Sequence, residues 1–256
     1  MEYETILVSK TDGVAVITLN RPEVLNAMSH QLVGELDEAI IDAEYDNSIG
    51  AVVITGSGEK AFSAGGDIHE QRRDARELTQ EEEAERRGLR AQRSWHVAAC
   101  SKPTIGAING LAYGGGAILA SSVDMRVGCE RSRFRFLAAA YGRINSTWTL
   151  PVQVGWPKAK ELLFTARVVD AEEALGIGLI NHLVPSVQLM EKTMEIAVTI
   201  AKNDPDSVRG VKHILLNNVG ASWRQMWESE RDFTTHKVPP RGAEEAFKEF
   251  IARKGR

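Results

Sequence analysis

Val14, Val16 and Thr18 alternate with Ala15, Ile17 and Leu19, the two-residue period of a half-buried strand. Residues 3–9 make a second strand, and Gly13 lies at the turn between the pair. Asn20-Arg21-Pro22 ends the hairpin, because proline cannot continue a strand. The period then lengthens. Leu32, Leu36, Ile40 and Ala43 recur at helical spacing over 31–46, with Ser29 placed to cap the first turn. Ala51 to Thr55 reads as a buried strand, and 70–93 as a charged, solvated helix with opposite charges three or four residues apart.

A short apolar strand, Thr104 to Ile108, turns at Asn109-Gly110 and meets Gly114-Gly115-Gly116 before a small-residue helix over 117–123. Met125 to Cys129 and 179–184 are further strands. Residues 156–165 form a helix with Pro157 in its first turn, and Asp170 caps another that Gly176 and Gly178 end. From about 186 the pattern is helical, with no strand signal. Strand–helix units thus recur along an α/β chain without a literal repeat. Stacked layers and a Rossmann-type sheet fit that periodicity equally.

The glycine triplet draws attention to chemistry. Glycines at a helix start let a backbone approach closely and leave amide N–H groups uncovered. The helix dipole adds about half a positive charge there. Such an end holds an anion, or an oxygen that becomes negative during reaction. It also permits tight helix–strand packing, and the triplet alone does not separate these uses. A nucleotide loop fits poorly, since the spacing is not Gly-x-Gly-x-x-Gly and no Gly-Lys-Ser/Thr follows. A second strand-to-turn stretch occurs at 60–68, Lys-Ala-Phe-Ser-Ala-Gly-Gly-Asp-Ile. One donor from each turn can converge on one oxygen.

Composition narrows the field. At 256 residues the chain can bury a large core, as one domain or a domain with an appendage. A net charge of −4 with dispersed Lys and Arg argues against nucleic-acid binding. No apolar run is long enough for a membrane span, and the N-terminus has no signal-peptide pattern. Cys100 and Cys129 read as buried free thiols, which with the above points to a cytoplasmic protein. No metal-ligand spacing and no nucleophile elbow are found. His96 reads as structural.

The chain resembles the crotonase superfamily, the enoyl-CoA hydratases, isomerases and relatives. The resemblance rests on Asn20-Arg21-Pro22 with Leu25-Asn26-Ala27, on Ala61 to Ile68, on Lys102-Pro103 through Gly116, and on Ala171 to Pro185. It implies a crotonase-type spiral of ββα units over 1–195 and a C-terminal helical oligomerisation region over 196–256. It also implies homotrimers or hexamers, a coenzyme A thioester as substrate, and no bound cofactor. A mobile flap over the ligand within 70–93 is a further implication.

Carried over by motif, the oxyanion-hole donors are the Ala64 and Gly115 N–H groups. The CoA moiety maps to Val24, Leu25, Lys60 and Ala64, with Asp67, Ile68 and Gly114 flanking the same turns. Phe247 and Lys254 would reach a neighbouring subunit's CoA, although a core role suits Phe247 as well. Hydratases carry two glutamates that activate water. Here those positions hold Ile118 and Ala138. Neither side chain can transfer a proton. Asn145 falls where some relatives have an aspartate, and an Asn145-Ser146 helix cap is the competing reading. The expectation is an acyl-CoA enzyme of variant reaction, an isomerase, hydrolase or decarboxylase. The alternative is a non-catalytic acyl-CoA binder that keeps the pocket.

Overall fold

The computed structural model describes residues 3–254, apart from the side chains of 245, 246, 249, 253 and 254. The strands are β1 (Ile6–Thr11), β2 (Val14–Leu19), β3 (Ala51–Gly56), β4 (Ala61–Ser63), β5 (Thr104–Ile108), β6 (Leu111–Tyr113), β7 (Met125–Cys129), β8 (Arg133–Arg135) and β9 (His182–Val184). The helices are α1 (His30–Tyr45), α2 (Ile68–Glu77), α3 (Gln80–Ala99), α4 (Gly115–Ser122), α5 (Leu150–Val154), α6 (Trp156–Thr165), α7 (Ala171–Gly176), α8 (Leu189–Ala201), α9 (Pro205–Asn217), α10 (Trp223–His236), α11 (Ala243–Ala246) and α12 (Lys248–Lys254).

Two compact units result, residues 1–202 and 203–256. The expected junction at 195 falls within α8, whose Thr193 and Ala197 are fully buried, so the helix stays with the first unit.

In that unit six strands run in the order β1-β2-β3-β5-β7-β9. β1 and β2 pair antiparallel through a two-residue turn, Asp12-Gly13, with positive φ at both positions (50° and 77°), as a tight hairpin requires. The remaining pairs are parallel. A parallel sheet is covered on both faces, so its strands are apolar throughout. In β3, Ala51 and Val53 pack with Leu189 and Ala197 of α8, while Val52 and Ile54 join the opposite core with Leu36 and Ile40 of α1.

A second, three-stranded parallel sheet, β4-β6-β8, accords with the ββα spiral that the resemblance implies, but local pattern did not reveal all of its strands. Three-residue strands are too short to display a period. The charged run also differs from expectation. It is two helices, broken at Leu78-Thr79, where Thr79 and Glu82 form a reciprocal capping box for α3.

Lys102 explains the Lys-Pro pair. Its side chain is fully buried, and Nζ donates to the carbonyls of Ala43 (2.7 Å) and Asp46 (2.5 Å) at the end of α1. A cation at a helix C-terminus meets both the open carbonyls and the negative end of the dipole. Arg126 does the same for α4, donating to the carbonyls of Ala120 and Val123.

In the second unit α9 and α10 pack together. The Phe233 ring lies beside His213, centroids 5.2 Å apart, and against Gly210. Trp223 remains 91% exposed.

Candidate active site

Two turns, one after β4 and one after β6, touch because glycines let them. A Cβ on Gly116 would lie 2.2 Å from the Ser63 carbonyl oxygen. Gly65 has φ 100°, and a Cβ there would lie 2.7 Å from the Tyr113 carbonyl oxygen and 2.9 Å from Gly115 N. Tight packing is therefore part of what the glycines do. Gly115 is less confined, since its Cβ would meet Gly66 N at 3.3 Å and Met28 Sδ at 3.4 Å.

The Asn20-to-Ala27 motif is the scaffold beneath the first turn. Asn26 is fully buried, accepts from Arg21 N–H (3.0 Å) and donates to the carbonyls of Ser57 (3.0 Å) and Ala61 (2.9 Å). The Ser63 hydroxyl donates to the Asn26 carbonyl and accepts from Gly65 N–H. Leu25 and Asn26 both sit at positive φ (56° and 55°), held there by this network.

The amides divide sharply. Ala64 N–H, one of the two expected oxyanion donors, is spent on the Leu25 carbonyl at 2.9 Å. The Leu25 carbonyl belongs to that left-handed turn, whose direction backbone pattern alone does not disclose. Gly114 N–H donates to the Arg135 carbonyl, and its own oxygen accepts from Ile118 N–H. Among the described residues, no hydrogen bond is made by the N–H of Gly115 or of Gly66. Gly115 opens α4, where the first-turn amides lack intrahelical partners.

Gly115 lines a pocket whose apolar lining includes Met28, Val33, Leu36 and Ile118. The lining also includes Asp37 from α1 and Arg90 and Arg93 from α3. Asp37 accepts from His96 Nδ1 at 2.7 Å and lies 3.9 Å from Arg93 Nε, so His96 has a structural partner as expected. Arg90 donates to the Met28 carbonyl at 3.0 Å, and burial pushes its guanidinium below the ordinary arginine value. The sequence reading missed all three charged residues, having placed the α3 pair on a solvated face. The signal was present: Arg90, Ser94 and Val97 recur at helical spacing into the buried end of α3.

Other expected residues scatter. Ile118 faces the pocket but brings no titratable group. Ala138 is buried outside it, its carbonyl accepting from the N–H of Tyr141 and Arg143. Asn145 is partly buried and accepts from the Ser146 hydroxyl at 3.4 Å. The helix-cap reading of this pair does not hold: the N-cap of α5 is Thr149, and Ser146 sits at φ 55°. Val24, Lys60 and Ile68 are exposed. Asp67 is occupied structurally, capping α2 through the N–H of His69 and Glu70 and pairing with Arg21 at 2.9 Å. Phe247 is 58% exposed, which removes the core reading. The Lys254 side chain lies outside the described residues.

Folding also assembles His30, Glu70 and Asp74, a grouping with no simple spacing in sequence. Each is engaged by protein. Glu70 accepts from His30 N–H, His30 Nε2 lies 3.1 Å from Asp74, and Arg86 pairs with Asp74 at 2.9 Å. Among the described residues, no helix is long and apolar enough to cross a membrane.

The profile of the enoyl-CoA hydratase/isomerase family matches residues 9–254. A short-chain-enoyl-CoA hydratase of Clostridium acetobutylicum is 37% identical, aligned over 82% of this chain and 80% of its own. A crotonyl-CoA hydratase of Syntrophomonas wolfei is 34% identical over the same shares. The crystal structure of an enoyl-CoA hydratase from Bacillus anthracis superposes with a TM-score of 0.90 at 30% identity, covering 98% of this chain and 97% of that one.

Proposed function

Because this chain belongs to the enoyl-CoA hydratase/isomerase family, we propose that it binds an acyl-CoA thioester with the carbonyl oxygen on the Gly115 N–H. A second amide comes from the 64–66 turn. The observation that carries this reading is an unengaged N–H at the head of α4, opening on a pocket. As charge moves onto the thioester oxygen, a fixed amide and the helix dipole stabilise the enolate without reorganising. No resident cofactor is called for, since the coenzyme is part of the substrate.

The reaction is a variant one: double-bond migration, hydrolysis or decarboxylation rather than glutamate-pair hydration. Ile118 and Ala138 stand where the water-activating carboxylates would be, and neither can move a proton. The relatives named hydratases supply the direct test. Incubated with crotonyl-CoA, the protein is expected to show hydration at least about 100-fold slower than a glutamate-bearing hydratase assayed beside it. Comparable turnover would overturn the variant reading. Tight acyl-CoA binding with no turnover of any thioester would favour the non-catalytic binder, which the same two substitutions also suit.

We further propose a cytoplasmic trimer or hexamer. Cys100 and Cys129 are buried and in no disulfide, which suits a reducing compartment, and exposed Trp223 and Trp227 suit subunit packing. Light scattering that returns a monomer would remove the assembly.

A further inference from the structure

The pocket beside Gly115 is charged in an unbalanced way. Its lining includes two guanidinium groups, Arg90 and Arg93, and one carboxylate, Asp37. Asp37 is already committed to His96 and Arg93. Arg90 has no carboxylate within ion-pair distance among the described residues. Its hydrogen bond goes to a neutral carbonyl, that of Met28. The two acids that act on it from further away are spent elsewhere, Asp67 on Arg21 and the α2 amides, Glu70 on His30 N–H.

A guanidinium has five N–H donors in a rigid fork and cannot shed its charge at neutral pH. Buried charges are ordinarily paired. A half-buried arginine with donors to spare, lining a ligand pocket, is a receptor for an anion. Arg90 is also close to the reacting end. Its Nη2 lies 3.6 Å from where a Cβ on Gly66 would sit, and that glycine borders Gly115.

We propose that the acyl group of the substrate carries a carboxylate, only a few carbons from the thioester, and that Arg90 binds it with Arg93 adding to the positive field. The inference rests on the acyl-CoA reading and names its substrate class, a short carboxyacyl-CoA. Met28, Val33 and Leu36 pack on the carbon chain, and Asp37 holds Arg93 in place. An acyl tail without charge leaves the half-buried Arg90 without a counter-ion, which disfavours it.

Calorimetry with succinyl-CoA and butyryl-CoA tests this, since the two share chain length and differ in the terminal charge. The wild type is expected to bind succinyl-CoA at least about tenfold tighter, the scale of a charged hydrogen bond in a partly buried site. Arg90→Gln should bring the ratio near one, and Arg90→Lys should retain part of it. A thermal melt of each variant separates misfolding from lost recognition. Butyryl-CoA binding as tightly as succinyl-CoA to the wild type would overturn the carboxylate assignment while leaving the acyl-CoA reading intact. Failure of both esters to bind would overturn both. A preference that survives Arg90→Gln would remove Arg90 from the role.

Discussion

Ala64 donates its amide hydrogen to the carbonyl of Leu25 at 2.9 Å. The family resemblance assigns that same hydrogen to the substrate. Of the neighbouring amides, that of Gly66 is open. Titrating labelled protein with butyryl-CoA should therefore shift the amide resonances of Gly115 and Gly66 and leave that of Ala64 in place. A large Ala64 shift would mean that its bond to Leu25 is exchanged for one to the thioester.

Gly115→Val should slow the chemistry severely while leaving the fold. A Cβ there meets Gly66 N and Met28 Sδ at 3.3–3.4 Å, so the added methyl groups fill the space the thioester needs. The substitution keeps the amide hydrogen but blocks approach to it, which should cost about as much as losing such a donor, about 100- to 1,000-fold in rate. Steady-state kinetics on whichever thioester turns over, with a melting curve alongside, checks both halves of the statement.

Lys102→Met keeps most of the buried volume and removes the ammonium that satisfies the Ala43 and Asp46 carbonyls. Two buried acceptors lose their donor, for a destabilisation of about 2–4 kcal/mol. Denaturant unfolding should report it, without a matching loss of acyl-CoA affinity in the folded protein.

Asp67 supplies an acid-sensitive share of stability. Burial opposes its ionisation, but hydrogen bonds from the Glu70 and His69 N–H groups and from Arg21 outweigh that and hold the carboxyl below its usual value. A carboxyl lowered on folding stabilises above its unfolded pKa, and the gain is lost as pH falls through the folded one. Asp67→Asn should thus cost about 1–2 kcal/mol at neutral pH, from the Arg21 pair and part of the cap. The deficit should shrink as the pH is taken below about 4. A deficit that stays constant through that range would assign the loss to packing.

Local pattern was a sound guide where one element decides its own form. The helix over 156–165 matches α6, Ser29 caps α1 through the N–H of Leu32, and Asp170 caps α7. These features depend on residues within a turn of each other. The β4-β6-β8 sheet depends on strands far apart in the chain, each too short to announce itself.

The sequence by itself determined the alternation of strands and helices, the family, the glycine turns that put Gly115 at a helix start, and the apolar residues at 118 and 138. Only the tertiary structure decided which amides remain open, because that depends on where the Leu25 carbonyl points between two consecutive left-handed residues. It alone decided that Arg90 and Arg93 face a pocket, because a helix pattern shows spacing but not what packs against each face. Charge in a sequence is a count; whether it is paired is a matter of distance between elements that folding brings together.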